Sequence, residues 1–230
     1  IAPLLEGLTA ARDTALAGER APEGQIRLTA SVAFGTVCLV PHIAAFRASY
    51  PGIDLELMLS DAPLDLLSNG VDIALRLAPA PKGDLVTLRL RRTRYRVVAS
   101  PRYLAQNRSP KAPEDLRTHL CLHYALPEFG PVWRFRKGGK EDEVRTGRGP
   151  AISSALALRE AAKAGLGPAL LADWLIHDHL ADGRLIDLFP DHEATATSFD
   201  TGAYLLYPSR SHLPARARVT IDFLRSVLRT

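Results

Sequence analysis

Between residues 26 and 77, period-two apolar runs and helix-like stretches follow one another in the order strand, helix, strand, helix, strand. Strands separated by a helix do not fold back as hairpins. They lie parallel, joined by right-handed crossovers, and the result is a layered α/β structure. Residues 26–30 alternate as a strand should. Leu39, Ile43 and Phe46 share one helical face and predict a helix over about 36–49. Tyr50-Pro51-Gly52 ends it, because proline pushes the residue before it out of the helical region. Ile53–Leu59 alternates cleanly and, following the first crossover outward, is expected at the sheet edge. A short helix over 61–70, with Asp61 as N-cap, Pro63 in the first turn and Gly70 past its end, leads to a third strand over 71–77. The proline-rich stretch 78–83 is a loop.

A second cycle follows. Strands are expected over 85–90, 95–100 and 120–124, with short helices over 102–118. Gly138-Gly139 between 132–137 and 141–145 is a two-residue hairpin signal. Ser153 or Ser154 caps a helix to Lys163, with Gly165 beyond it; 168–171 is a buried strand, and Asp173 caps a helix that ends near Gly183. Then come a strand over 185–189, a polar loop over 190–198, a strand over 203–207 and a terminal helix opened by Pro214. Upstream, Leu4, Leu5, Leu8, Ala11 and Ala15 recur at helical spacing over residues 1–20. At 230 residues, 47% hydrophobic and 23% charged, the chain has room for two cores and the composition of an ordinary globular protein.

Several functions are disfavoured by what the sequence lacks. No apolar run approaches the roughly 18 residues of a membrane helix, so no membrane partner is expected, and residues 1–20 carry no secretory pattern. A net charge of +4 is too small for a whole-chain nucleic-acid binder. Cys38 and Cys121 sit in separate apolar stretches and read as buried free thiols of a cytoplasmic protein. His177 and His179 point to different helix faces and cannot share a metal, and no cysteine–histidine cluster has zinc spacing. There is no Gly-x-Ser-x-Gly elbow and no phosphate-cradling loop. Neither cofactor, metal nor catalysis is expected.

Four blocks carry a resemblance. They are Gln25 to Gly35 (QIRLTASVAFG), Phe46 to Leu57 (FRASYPGIDLEL), Asp72 to Arg76 (DIALR) and Ala161 to Gly167 (AAKAGLG). In this order and spacing they resemble the effector-binding domain of LysR-type transcriptional regulators over residues 25 to about 228. The resemblance implies two Rossmann-like lobes of periplasmic-binding-protein type, joined by two strands crossing near 97–100 and 203–207. Lobe I would be residues 25–98 with 206–230, and lobe II 99–205. Residues 1–20 match the end of a linker helix, so DNA would be met only through an N-terminal winged helix-turn-helix outside these residues. It also implies a small-molecule effector in a cleft between the lobes and an antiparallel homodimer, often a homotetramer. The competing reading is a periplasmic-type solute-binding protein with the same two-lobe plan; an enzyme on this scaffold is a more distant one.

In an open parallel sheet, ligands collect beyond the carboxyl ends of the strands, where helix N-termini offer unpaired N–H donors. The strand pattern places Ser31 and Val32 after the first strand, Asp61 and Ala62 after the second, and Leu77 and Ala78 at the third. In the second half, His123 and Tyr124 end a strand, and Ser153 and Ser154 open a helix. These are the candidate effector-binding residues, and the family's site maps to the same segments with Ser31 the best match. The helix macrodipole favours an anionic or strongly polar ligand; Asp61 opposes one unless it caps its own helix. Each has a plainer role open to it: Ser31, Ser153 and Ser154 as helix caps, His123 as a hydrogen-bonded core residue. Arg76 is expected to pair with a carboxylate, and the arginines at 89, 91, 92, 94 and 96 to form a solvated face.

Overall fold

The computed structural model describes residues 21–62, 70–78, 85–126, 128–208 and 213–229. The expected helix over 1–20, most of that over 61–70, and the loop beyond Ala78 lie outside them. Numbered along the chain, the strands are β1 Gly24–Ala30, β2 Ile53–Leu59, β3 Ile73–Ala78, β4 Leu85–Arg92, β5 Tyr95–Ala99 and β6 Leu120–Tyr124. They continue as β7 Val132–Lys137, β8 Lys140–Arg145, β9 Gly147–Ile152, β10 Ala169–Ala172, β11 Ile186–Asp187, β12 Glu193–Thr195 and β13 Gly202–Pro208. The helices are α1 Val32–Ser49, α2 Pro101–Gln106, α3 Ala155–Lys163, α4 Asp173–Ala181 and α5 Ala215–Leu228. The chain divides into two compact units, the first running to Arg92 and resuming at Gly202, the second spanning Thr93–Thr201.

In the first unit the strand order is β2-β1-β3-β13-β4. β1 pairs in parallel with both β2 and β3, as the crossovers dictate, while β13 runs antiparallel between β3 and β4. β2 lies at the edge, where the outward first crossover put it. One face of this sheet is covered by α1 and α5, through a cluster of Ile26, Phe46, Ile53 and Ala217. There Phe46 meets Phe223 edge-on, with ring centroids 5.1 Å apart.

Helix α1 corrects the sequence reading twice. It begins at Val32, directly after Ser31, and not near Thr36. Its middle leaves α geometry: Gly35–Leu39 forms a π turn and Val40–His42 a 3-10 turn before regular turns resume over Ile43–Ser49. Pro41 offers no N–H and crowds the carbonyl four residues back, so one widened and one tightened turn absorb it. The run is also longer and more apolar than anticipated. Val32–Ser49 has 18 residues of mean hydropathy 1.4, enough by length and composition to cross a membrane. Here 28% of it is buried, and Phe34, Leu39 and Phe46 are among the residues it packs inward.

The second unit has a sheet ordered β8-β7-β12-β5-β10-β6-β9, with β11 also pairing β5. Trp133, Phe135, Leu170, Phe189 and their neighbours form its core. Gly138 and Gly139, both at positive φ (58° and 83°), make the two-residue turn between β7 and β8. Three local expectations change. Asp173 is the first residue of α4, whose N-cap is Ala172, because β10 runs into the helix with no loop between; its Oδ1 accepts the N–H of Trp174 at 2.8 Å. The expected strand over 185–189 shrinks to Ile186–Asp187, and the polar loop contains β12, paired with β5 and β7. β9 lay in no sequence expectation.

The chain leaves the first unit at Arg92–Thr93 and returns at Thr201–Gly202. Residues 97–100, expected as a crossing, instead lie within or directly after β5, which pairs with β10, β11 and β12 inside the second sheet. Where the two passes meet, Thr93 donates its N–H to the Thr201 carbonyl (3.0 Å), and the Thr201 hydroxyl donates to the Thr93 carbonyl (3.1 Å).

Candidate functional site

At the carboxyl ends of β1, β2 and β3 the parallel registers fix which side chains are neighbours. Ala30 pairs with Leu59 on one side and Leu75 on the other, so the next position, Ser31, stands between Ser60 and Arg76. Ser31 has extended backbone (φ −62°, ψ 147°) and precedes α1 without a side-chain cap hydrogen bond. Its hydroxyl oxygen is buried and, among the described residues, has no hydrogen-bond partner. A buried hydroxyl without a partner carries an unrecovered desolvation cost, and a ligand can recover it.

Arg76 is half-buried. It donates to the hydroxyl of the fully buried Thr29 (3.2 Å) and to the Leu75 carbonyl (3.2 Å). The expected carboxylate partner is replaced by these neutral acceptors, with Asp61 acting on the guanidinium through charge. Burial lowers the Arg76 pKa, and the attraction of Asp61 opposes that shift. Asp61 meanwhile accepts the N–H of Val32 at 3.0 Å, so it caps α1, and does so from a neighbouring strand's end. Ala62 donates its N–H to the Ser60 hydroxyl (3.2 Å). Leu77 is half-buried, and Ala78 closes β3. Ser31, Val32 and Asp61 are therefore brought together around Arg76. The sequence favours an ion pair over effector contact for Arg76, although its place two residues from the carboxyl end of β3 marks it as a site residue.

The second unit has its own carboxyl end. Tyr124 pairs with Ile152, so Ser153 follows alongside it, and Ser154 caps α3 by accepting the Ala157 N–H at 3.4 Å. Tyr124 meets Phe129 edge-on (5.3 Å), which in turn meets Tyr95 (5.9 Å). Burial pushes the Tyr95 hydroxyl up to about 12, with Tyr124 and Asp173 adding to the shift. His123 alternates to the opposite face. It is buried, packs on Trp133 with centroids 5.8 Å apart, and its Nε2 lies 3.4 Å from the Gly147 carbonyl. Burial lowers its pKa. His123 thus takes the core role and leaves the candidate set.

Among the described residues no three His, Cys, Asp or Glu side chains are grouped to hold a metal ion. Burial pushes the Cys121 thiol up to about 12, far from the thiolate that a nucleophile needs. Arg89, Arg92 and Arg94 are exposed as expected, whereas Arg91 is half-buried and Arg96 pairs with Asp187 at 3.3 Å.

Two α/β units with polar clusters at the carboxyl ends of their parallel strands define a small-molecule-binding domain of periplasmic-binding-protein-like fold. The family described as the LysR substrate binding domain matches residues 19–229, and the chain belongs to it as the effector-binding domain of a LysR-type transcriptional regulator. It is 33% identical to a probable HTH-type transcriptional regulator, LtrA, of Klebsiella pneumoniae, over 96% of this chain and 71% of that protein. Its fold matches that of CrgA, a LysR-type regulator from Neisseria meningitidis, with a TM-score of 0.80 at 30% identity over 98% of this chain and 76% of that one. The separate CrgA regulatory domain matches with a TM-score of 0.77 at 30% identity, covering 90% of this chain and 100% of that one. These relatives are transcriptional regulators, as the resemblance implied.

Proposed function

We propose that this domain senses a small anionic effector at the carboxyl end of the first sheet, without altering it chemically. The observation that carries the reading is the open donor set there: a buried, unpartnered Ser31 hydroxyl in register beside the half-buried Arg76 guanidinium. A ligand carboxylate would accept from both, in the charge-assisted geometry that arginine favours. Asp61, seated on the Val32 N–H, competes for the same place. Tyr124, Ser153 and Ser154 are the corresponding candidates in the second unit. The effector would shift DNA affinity by its differential affinity for two conformational states, and by no more than that. The edge position of β2 among the described strands favours a homodimer, and a cytoplasmic setting accords with this role.

A thermal-shift screen of small acids tests the reading. A ligand at about 100 times its Kd adds about 2.7 kcal/mol by mass action. Ser31→Ala and Arg76→Gln should each lose most of that stabilisation, while Asp61→Asn should gain. Equal shifts in the parent and all three variants would refute it.

A further inference from the structure

The second unit has a recess at the other end of its sheet. Leu120 opens β6 and pairs with Gly147, which opens β9, and Gly165-Leu166 lie in the turn before β10. These amino ends are roughly 13 Å along β6 from Tyr124, at about 3.3 Å per residue. They border a cavity of about 600 Å³ whose other walls come from α2, from the 3-10 segment Pro113–Thr118 and from the residues just before and after that segment. Its size is that of sites for small organic ligands.

Two features of the wall point to an occupant. First, Leu120 and Leu166 both face the recess, and at 62% and 52% exposure they are the two most exposed large apolar side chains among the described residues. Second, polar donors share the lining with them. The Tyr103 hydroxyl lies 2.7 Å from His119 Nδ1, and burial lowers the His119 pKa. With that hydroxyl donating to Nδ1, the neutral ring carries its proton on Nε2 and can give it to a ligand. Arg108 on the wall is exposed, and the Arg102 side chain runs beside Gly165. Asp115 also lines the recess and opposes an anion there; its Oδ2 accepts the N–H groups of Lys111 (2.8 Å) and Ala112 (3.1 Å), which hold it against its own turn.

We propose that this recess is a second ligand site, for a small carboxylate with an apolar body. The carboxylate meets Arg108 and His119, and the apolar body covers Leu120 and Leu166. The site is separate from the proposed effector cluster, so either can fail without the other.

The test is amide NMR on the 230-residue chain, titrated with benzoate and hexanoate and with benzamide as the uncharged control. Saturable shifts at residues 103–109, 118–120 and 165–166 are expected, with millimolar Kd. Arg108→Gln should weaken benzoate about tenfold, the loss of one charge-assisted contact, and benzamide should bind the parent comparably weakly. Leu166→Asp, at an exposed position, should abolish the shifts, and Ser31→Ala should leave them unchanged. Shifts confined to residues 29–32, 61 and 76, shifts at neither place with either acid, or undiminished binding to Leu166→Asp would each overturn the second site.

Discussion

His123 and Arg76 show how much one residue's position decides. Both sit near a strand's carboxyl end, and one step of the β alternation sends His123 into the core against Trp133 while Tyr124 takes the other face. Period-two alternation alone told which neighbours share a face, but not which face meets the core. Arg76 was equally hard to read, because its neighbour Thr29 is set by strand register, which no local pattern encodes. The burial of His123 has a consequence for stability. Its folded pKa lies below the unfolded value of about 6.5, so the unfolded chain binds the extra proton as pH falls through that value. His119 and His179 are lowered for the same reason. Urea midpoints should therefore fall between pH 7 and pH 5. His123→Gln, which keeps a donor for the Gly147 carbonyl, should lower stability at pH 7 but flatten that slope. A slope unchanged in the variant would assign the protons elsewhere.

Among elements, those with a clean period were legible. β2 and the β7–β8 hairpin stand where alternation and Gly-Gly placed them. β9 escaped because Gly-Arg-Gly-Pro-Ala-Ile is the composition of a loop. The reason for its glycines is tertiary. A Cβ at Gly147 would lie 2.2 Å from the His119 carbonyl oxygen, and one at Gly149 would lie 2.6 Å from that of Cys121. Glycine lets β9 run this close to β6, and close approach outweighs intrinsic propensity. Gly147→Ala should accordingly cost about 1–3 kcal/mol, the scale of overpacking against a backbone that cannot yield. Gly130→Ala, whose Cβ would meet nothing within 4 Å, should be near neutral. Chemical denaturation of the two variants distinguishes a packing constraint from a general intolerance of alanine.

For the molecule as a whole, the order of strands and helices was enough to reach the α/β architecture, and four short blocks were enough to reach the family. The points of passage between units were not legible. β5 reads as one more strand after β4, and only its pairing with β10 assigns it to the second sheet. The edge position of β2 bears on assembly, since an open edge with apolar companions is commonly covered by a partner. Light scattering on the eluted peak should give twice the chain mass of 25.0 kDa at micromolar concentration. A monomer at every concentration would remove the dimer from the proposal. The paired hydrogen bonds between Thr93 and Thr201 reach further than the joint they close. β4 and β13 are antiparallel neighbours, so the first sheet experiences everything from Thr93 to Thr201 as the tip of a hairpin. A module nested with its ends touching can be excised, replaced by a two-residue link or grafted into another hairpin, and the host loses no ladder bond.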